Sequence, residues 1–560
     1  MTVSRLLELP SELQVRILSN LDAKSILACR QASPELEHTI DDTLELQYQL
    51  ELELAGMVDG PPGPASIRDR LDALRAYRRA WDAGEHPVQR ISTINGFNTH
   101  IGPLIFWIEA ITGSLRIYRP PETFCGLAER ELTFEGMEVQ VASYPGYYSF
   151  VIDPAQDLLV YCWDTSPAPI GHTYAKCAFA SLSQNYQAHP LASRSFTSCL
   201  PVTAWGTYAS ARCRGDLVEW TVGCGENAHA EMMVINWKTG IIIWVSAPKC
   251  SWLSGRHFAV ANSIIQHMHG TSGQDAMRLI SDTHVLVVND LYSPSCSLRI
   301  YAFDPSASAD APLVTEDNFL HTLELPSCTD AVCNRSVRVQ FQSSPAFAED
   351  DRPLFLHDPH LSLLVLTINL YFRARDFSGD SPTGEFYLLL VPLETLLRAR
   401  LTTGDRPPRG SVIPWEDWGP QGTRMLRIEE HTQGVSSLGS RIALHNGWAG
   451  YAPCTVTVYE VHKLANESIP ASAKAGDDQN EDARNARMAA AVAAGPVVSD
   501  DDWITDSIVW KNPIHTTYPF RKTVRVIPPS CSPPEGPWNS MVRLTSDGLI
   551  QVTQVLSNGA

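Results

Sequence analysis

At 560 residues the chain is too long for one small domain, and its 44% hydrophobic content suffices for a sizeable core. A net charge of −19 argues against a nucleic-acid or anionic-membrane surface. The 13 cysteines are odd in number and form no Cys-x-x-Cys pair, a pattern of reduced intracellular thiols rather than of a disulfide framework or a zinc ribbon. The first residues, Met1 to Arg5, lead into an amphipathic pattern rather than a signal-peptide core. The most apolar runs, such as Leu104 to Ile108, are too short to span a bilayer. Together these features lead us to expect a cytoplasmic or nuclear protein.

Near the N-terminus, Pro10 is placed to open a helix, because its missing N–H would be unpaired in the first turn. Leu13, Ile17, Leu18 and Leu21 follow at helical spacing and are expected on one face. Asp22 can cap a second helix carrying Ile26, Leu27 and Cys29, and Ser33-Pro34-Glu35 starts a third. Three short helices within about 40 residues bury little by themselves, so their apolar surface needs a partner. The run Leu9-Pro10-x-Glu12-Leu13, Ile17-Leu18-x-x-Leu21, Leu27-x-Cys29-Arg30-x-x-Ser33 resembles an F-box over residues 4–45. The resemblance implies docking on the Skp-type adaptor of cullin–RING ubiquitin ligases, with Leu9, Pro10, Glu12, Leu13, Ile17, Leu18, Leu21, Leu27, Cys29 and Leu36 as adaptor-binding residues. It departs from the family at Leu36, where a Trp usually stands, which implies a smaller apolar anchor. The alternative is an ordinary N-terminal helical cap on a larger domain.

Residues 46–90 read as a helical linker. Leu46 to Leu54 alternates apolar and polar residues until Gly56 and Gly60-Pro61-Pro62-Gly63-Pro64 interrupt it. Ser66 and Asp69 form a capping box for a helix carrying Leu71, Leu74, Tyr77 and Trp81. Arg68, Arg70, Arg75, Arg78 and Arg79 are expected on its outer face, read as a solvated surface in preference to a site for an acidic partner. A Gly-Pro-rich break before an Arg-rich helix also resembles F-box proteins of mushroom-type fungi.

From about residue 90, short β-branched and aromatic runs recur between Gly, Pro, Asp and Asn. Examples are Tyr148 to Tyr161, Met233 to Trp244, Ser297 to Pro305, Phe386 to Leu393 and Thr455 to Val461, and the turn Asn236 to Gly240 looks like the outer hairpin of a propeller blade. Their spacing, roughly 65 to 90 residues, exceeds the usual blade period of about 40–50, so the repeat is degenerate or carries insertions. The overall reading is an α + β multidomain chain in which residues 91–560 form a divergent β-propeller of about six to eight blades. A pair of β-sandwiches is the alternative. Residues 471–502, acidic and then Ala-rich, read as a disordered or partly helical insertion between strands. The end, Met541 to Leu544 and Leu549 to Val552, reads as a closing hairpin able to complete the first blade.

No catalytic signature stands in its required context: there is no Gly-x-Ser-x-Gly elbow, Walker loop, His-Glu-x-x-His or dinucleotide fingerprint. His257, His267 and His269 lie near one another but lack an obvious third ligand, and His357-Asp358-Pro359-His360 reads as a turn. No catalytic, metal or cofactor residue is assigned, and no cofactor is expected. The candidate target-recognition loops are residues 270–274, 376–384 and 404–421. Trp415 and Trp418 serve there as target-binding anchors, with core packing as their alternative role. The expected function is that of a non-enzymatic substrate-recognition subunit, with the adaptor, through it a cullin, and an unknown protein target as partners. A non-degradative scaffold and a propeller enzyme with an unrecognised site are the competing classes.

Overall fold

The computed structural model describes residues 6–94, 98–101, 104–108, 114–135, 149–164, 172–184, 186–201, 207–224, 229–245, 277–289, 296–306, 319–342, 351–372, 384–397, 407–429, 432–446, 454–462, 502–505, 507–527 and 538–555. The chain begins with helices α1 (Ser11–Leu18), α2 (Ala23–Ala32), α3 (Pro34–Asp42), α4 (Leu44–Ala55) and, after a short strand, α5 (Ile67–Asp82). The expected start signals act as read. Asp22 Oδ1 accepts from Ser25 N at 2.8 Å, Ser33 Oγ accepts from Glu35 N at 3.2 Å, and Ser66 and Asp69 exchange capping bonds. Helix α4 ends at Gly56, whose φ of 68° is left-handed, and the chain turns there into strand Met57–Asp59.

The remainder is all-β and forms a seven-bladed propeller. Blade 1 consists of Asn98–Ile101, Leu104–Ile108, Leu115–Arg119 and Arg130–Phe134; blade 2 of Ser149–Asp153, Leu158–Asp164, His172–Ser181 and Phe196–Pro201. Blade 3 follows with Thr207–Arg214, Leu217–Cys224, His229–Asn236 and Ile241–Val245, so the turn at Asn236 to Gly240 does join the two outer strands. Blade 4 contains Met277–Ser281, His284–Asn289, Ser297–Ala302 and Phe319–Glu324, with the short strand Ser411–Ile413 added in parallel outside. Blade 5 contains Val332–Phe341, Leu363–Phe372, Gly384–Pro392 and Arg424–Ile428; blade 6 contains Thr432–Leu438, Arg441–Asn446, Cys454–Glu460 and Arg521–Ile527. Blade 7 is the C-terminal hairpin Trp538–Leu544 and Leu549–Val555, joined by strand Val88–Ile94 running parallel to the second of these.

The ring is therefore closed by strands from the two ends of the β region, as the closing hairpin led us to expect, and it replaces the alternative of two sandwiches. Residue 91, the expected start of the β region, falls inside the closing strand Val88–Ile94. The irregular spacing also has a source: in blade 6, residues 461–520 separate the third strand from the fourth. The acidic and Ala-rich stretch sits in that connection. Its residues 471–501 lie outside the described residues, and Asp502 opens the strand Asp502–Ile504.

The helices are not a free linker. Strand Met57–Asp59 pairs antiparallel with Phe355–His357, from the connection between the first two strands of blade 5. Helix α5 buries Leu71, Leu74, Tyr77 and Trp81 in one apolar cluster with Cys125, Leu127, Phe355, Val456, Ile527, Val542 and Leu549. Most of these contacts lie where first strands turn into second strands or third into fourth, on blades 5, 6, 7 and 1, although Val456 and Ile527 sit toward the other end of their strands. Because strands alternate in direction within a blade, all such turns emerge on one face. The helices thus pack on that face at these four blades, and the opposite turns emerge on the other.

Candidate docking surfaces

One surface emerges from the residues singled out in the sequence, and it belongs to α1. Gln14 Nε2 donates to Leu9 O at 2.8 Å and fixes the chain entering the helix. Pro10 and Glu12 are exposed and Leu9 half-buried; Leu13 and Ile17, one turn apart, are 46% and 39% exposed. These two are among the few large apolar side chains on the described surface.

The expected single stripe divides here. Leu18 turns inward and packs with Ile26, Ile40 and Leu46, and Leu36 is 1% exposed. Both are therefore interior residues, and Leu18 fills the core shared by the four short helices. Leu36 occupies a closed apolar slot in α3 rather than presenting an anchor. Leu21, Leu27 and Cys29 are half-buried against the same interior. Polar contacts tie the helices together: Glu53 accepts from Ala23 N at 3.1 Å, and Arg30 holds Asp41 through two bonds of 2.9 Å. Residues 6–46 match the F-box domain.

No curated protein matches the chain. The F-box is joined to the propeller through a seam that sequence reasoning missed. Arg70, expected on the outer face of α5, is buried: it donates to Asp59 Oδ1 at 2.7 Å, Leu354 O at 2.8 Å and Pro61 O at 2.8 Å. Arg78 pairs with Glu51 of α4 at 2.7 Å, and Arg75 donates to Gln47 Oε1 at 2.8 Å.

Deeper in the seam, Arg441 of blade 6 donates to Tyr77 Oη and to Glu460, and Arg521 bonds Glu460 and Asp82. The Arg441 guanidinium lies 4.4 Å from the Trp81 ring, which stacks on His86 at 4.2 Å. Burial alone would raise the Glu460 carboxyl, yet Arg441 and Arg521 hold it down at about 2. Burial, then Arg525 and Arg441, push His86 down to about 3; burial, then Arg441, does the same to His357. Only Tyr77 and Trp81, at helical spacing, hinted at this seam. Their charged partners come from segments more than 300 residues away, beyond the reach of any local pattern.

Trp415 and Trp418 are a correction. Residues 415–422 form a helix, and the two indoles are 7% and 4% exposed. Their rings meet edge to face at 5.3 Å, Trp418 Nε1 donates to Glu324 O at 2.9 Å, and both join the largest apolar cluster. Gly419 lies so close that an added Cβ would stand 2.2 Å from Trp415. Packing area won over exposure, and neither residue is an accessible anchor. The loop at 270–274, residues 376–383 and the histidines 257, 267 and 269 lie outside the described residues. His357 to His360 is the expected turn, with Asp358 Oδ1 accepting from His360 N at 2.8 Å. Among the described residues, no helix is long and apolar enough to cross a membrane.

Proposed function

We propose that this chain is the target-recognition subunit of a cullin–RING ubiquitin ligase, docking a Skp-type adaptor through its F-box and a protein target through its propeller. The observation that carries the reading is the exposed pair Leu13 and Ile17 beside Pro10, on helices whose remaining large apolar residues are consumed internally. Such a pair is a ready anchor for a helical partner surface. The propeller supports the second half: among the described residues the helices pack on one face, at blades 5, 6, 7 and 1, and the opposite face is the candidate target surface. The chain would act by proximity, presenting a target to a ubiquitin-loaded enzyme carried by the complex.

The test is a pull-down of the full chain with a Skp-type adaptor. Leu13→Asp with Ile17→Asp is expected to abolish capture while the melting temperature stays near that of the wild type, since surface changes typically cost within about 0.5 kcal/mol. Undiminished adaptor capture by the double variant overturns the proposal. Mass spectrometry of the wild-type complex then identifies the cullin and any target.

A further inference from the structure

The outer strand of blade 6, Arg521–Ile527, pairs with Cys454–Glu460 along one edge; among the described residues no backbone group bonds its other edge. Register decides where its side chains stand. Lys522, Val524 and Val526 lie beside Tyr459, Thr457 and Thr455, which in turn lie beside Ile442 and Leu444. This side of the blade turns toward blade 5, because Ile442, Leu444 and Tyr459 share an apolar cluster with Leu363, Leu388 and Leu390. Blades diverge from the ring axis, so a side that is packed at its inner strands opens at the rim. Ile442 is buried, whereas Val524 and Val526 are 55% and 58% exposed. Arg521 and Arg525 stand on the other side, where Arg521 bonds Asp82 and Arg525 donates to His86 O.

Two cations of this strand have no carboxylate among the described residues. Lys522 lies 5.9 Å from the Tyr459 ring, and Arg525 bonds only a carbonyl. In a chain of net charge −19 the strand is therefore a cationic edge. Cations alone blunt an edge against pairing, but two exposed valines on the same edge invite it. The fold already accepts such an addition elsewhere: the fourth strand of blade 4, Phe319–Glu324, takes Ser411–Ile413 as a parallel fifth strand.

We propose that the free edge of Arg521–Ile527 is a peptide-docking site, which takes an extended segment of the protein target, alternating apolar and acidic residues, as a fifth strand of blade 6. The inference rests on the target-recognition reading above and names the chemistry of the target segment. Alternation in the strand sets alternation in the ligand, because cross-strand neighbours share a side of the sheet. Apolar side chains of the segment pack on Val524 and Val526. Carboxylates on the opposite side meet Arg525, and one at the strand end meets Lys522. Main-chain bonds to the edge supply affinity for any extended chain, and the alternating pattern selects among them.

The test titrates the full-length protein into a fluorescein-labelled peptide of four Glu-Val repeats and reads anisotropy. The wild type should bind with a Kd below about 1 mM, and Val524→Thr with Val526→Thr should bind about tenfold more weakly or worse. Threonine keeps the strand propensity, so the melting temperature of that variant should match the wild type. A peptide of four Lys-Val repeats should not bind. Should the double variant fail to fold, hydrogen exchange of the wild type decides: the Glu-Val peptide should slow exchange in residues 521–527 and leave Phe319–Glu324 unchanged. Adaptor capture by the same protein separates this inference from the reading beneath it. Capture of the adaptor without peptide binding overturns the docking site alone, whereas peptide binding without adaptor capture supports the site and overturns the ligase reading. Equal binding by the double variant, equal binding of the Lys-Val peptide, or slowed exchange only outside residues 521–527 overturns the proposal. So does a wild-type dimer that the double variant dissolves, since it assigns the edge to a second copy of this chain.

Discussion

Arg441 and Arg521 converge on one interior carboxylate, Glu460, 6% exposed, and Arg521 also bonds Asp82. Removing its charge leaves the buried Arg441 without a carboxylate and Arg521 with Asp82 alone. Glu460→Gln is expected to cost about 3–5 kcal/mol, read as a fall in the denaturation midpoint. The neighbouring histidines act in acid. His86 and His357 are neutral in the fold, with values near 3, against an ordinary value of about 6.5 in the unfolded chain. Their contribution is complete above pH about 6.5 and is lost as pH falls toward 3, by roughly 1.4 kcal/mol per pH unit for each. Thermal scans from pH about 7 down to 5 should show the loss, and His86→Phe should reduce its steepness. Trp418→Ala, which empties a core site and orphans Glu324 O, is expected to cost about 3–5 kcal/mol without altering adaptor capture.

Elements translate these contacts into a fixed joint. Strand Met57–Asp59 and helix α5 approach the propeller from two directions, one by backbone pairing with Phe355–His357 and the other by side-chain burial. A joint made in both ways has little freedom to swing, so the F-box and the opposite propeller face hold a constant separation. Val58→Pro removes a ladder donor and clashes with the extended pairing. It should loosen α4 and the F-box helices in hydrogen exchange while the blade strands keep their protection. Ser66→Ala, which removes one half of the capping box, should cost about 1 kcal/mol and fray the start of α5 without releasing its buried end.

At the scale of the molecule, stability is that of a ring closed by the non-contiguous segments 88–94 and 549–555. A fragment beginning at residue 91 splits the closing strand and strips the groove of Tyr77 and Trp81. It should aggregate, where a fragment beginning at Gly56 folds cooperatively. Truncation before Leu549 removes the strand that Val88–Ile94 pairs with and should expose sheet edges in the same way. Size-exclusion chromatography and calorimetry of the three proteins check these outcomes.

What the sequence determined by itself was local. Helix caps at Asp22, Ser33 and Ser66, the F-box spacing, the turn at Asn236 to Gly240 and the closing hairpin all depend on residues within a few positions of one another, and each formed where its pattern stood. The large β region with a propeller's short strands was legible for the same reason, because alternation and turn residues are read over a few residues. The tertiary structure decided which apolar residues face outward. Leu13 and Leu18 look alike along the helix, and only packing against Ile26, Ile40 and Leu46 sends one inward and leaves the other exposed. It likewise buried Arg70, Trp415 and Trp418, because the carbonyls and apolar surfaces that receive them lie on distant segments. The seam around Glu460 was illegible for that reason: a buried charge is defined by its partners, and these are brought together only when the ring closes.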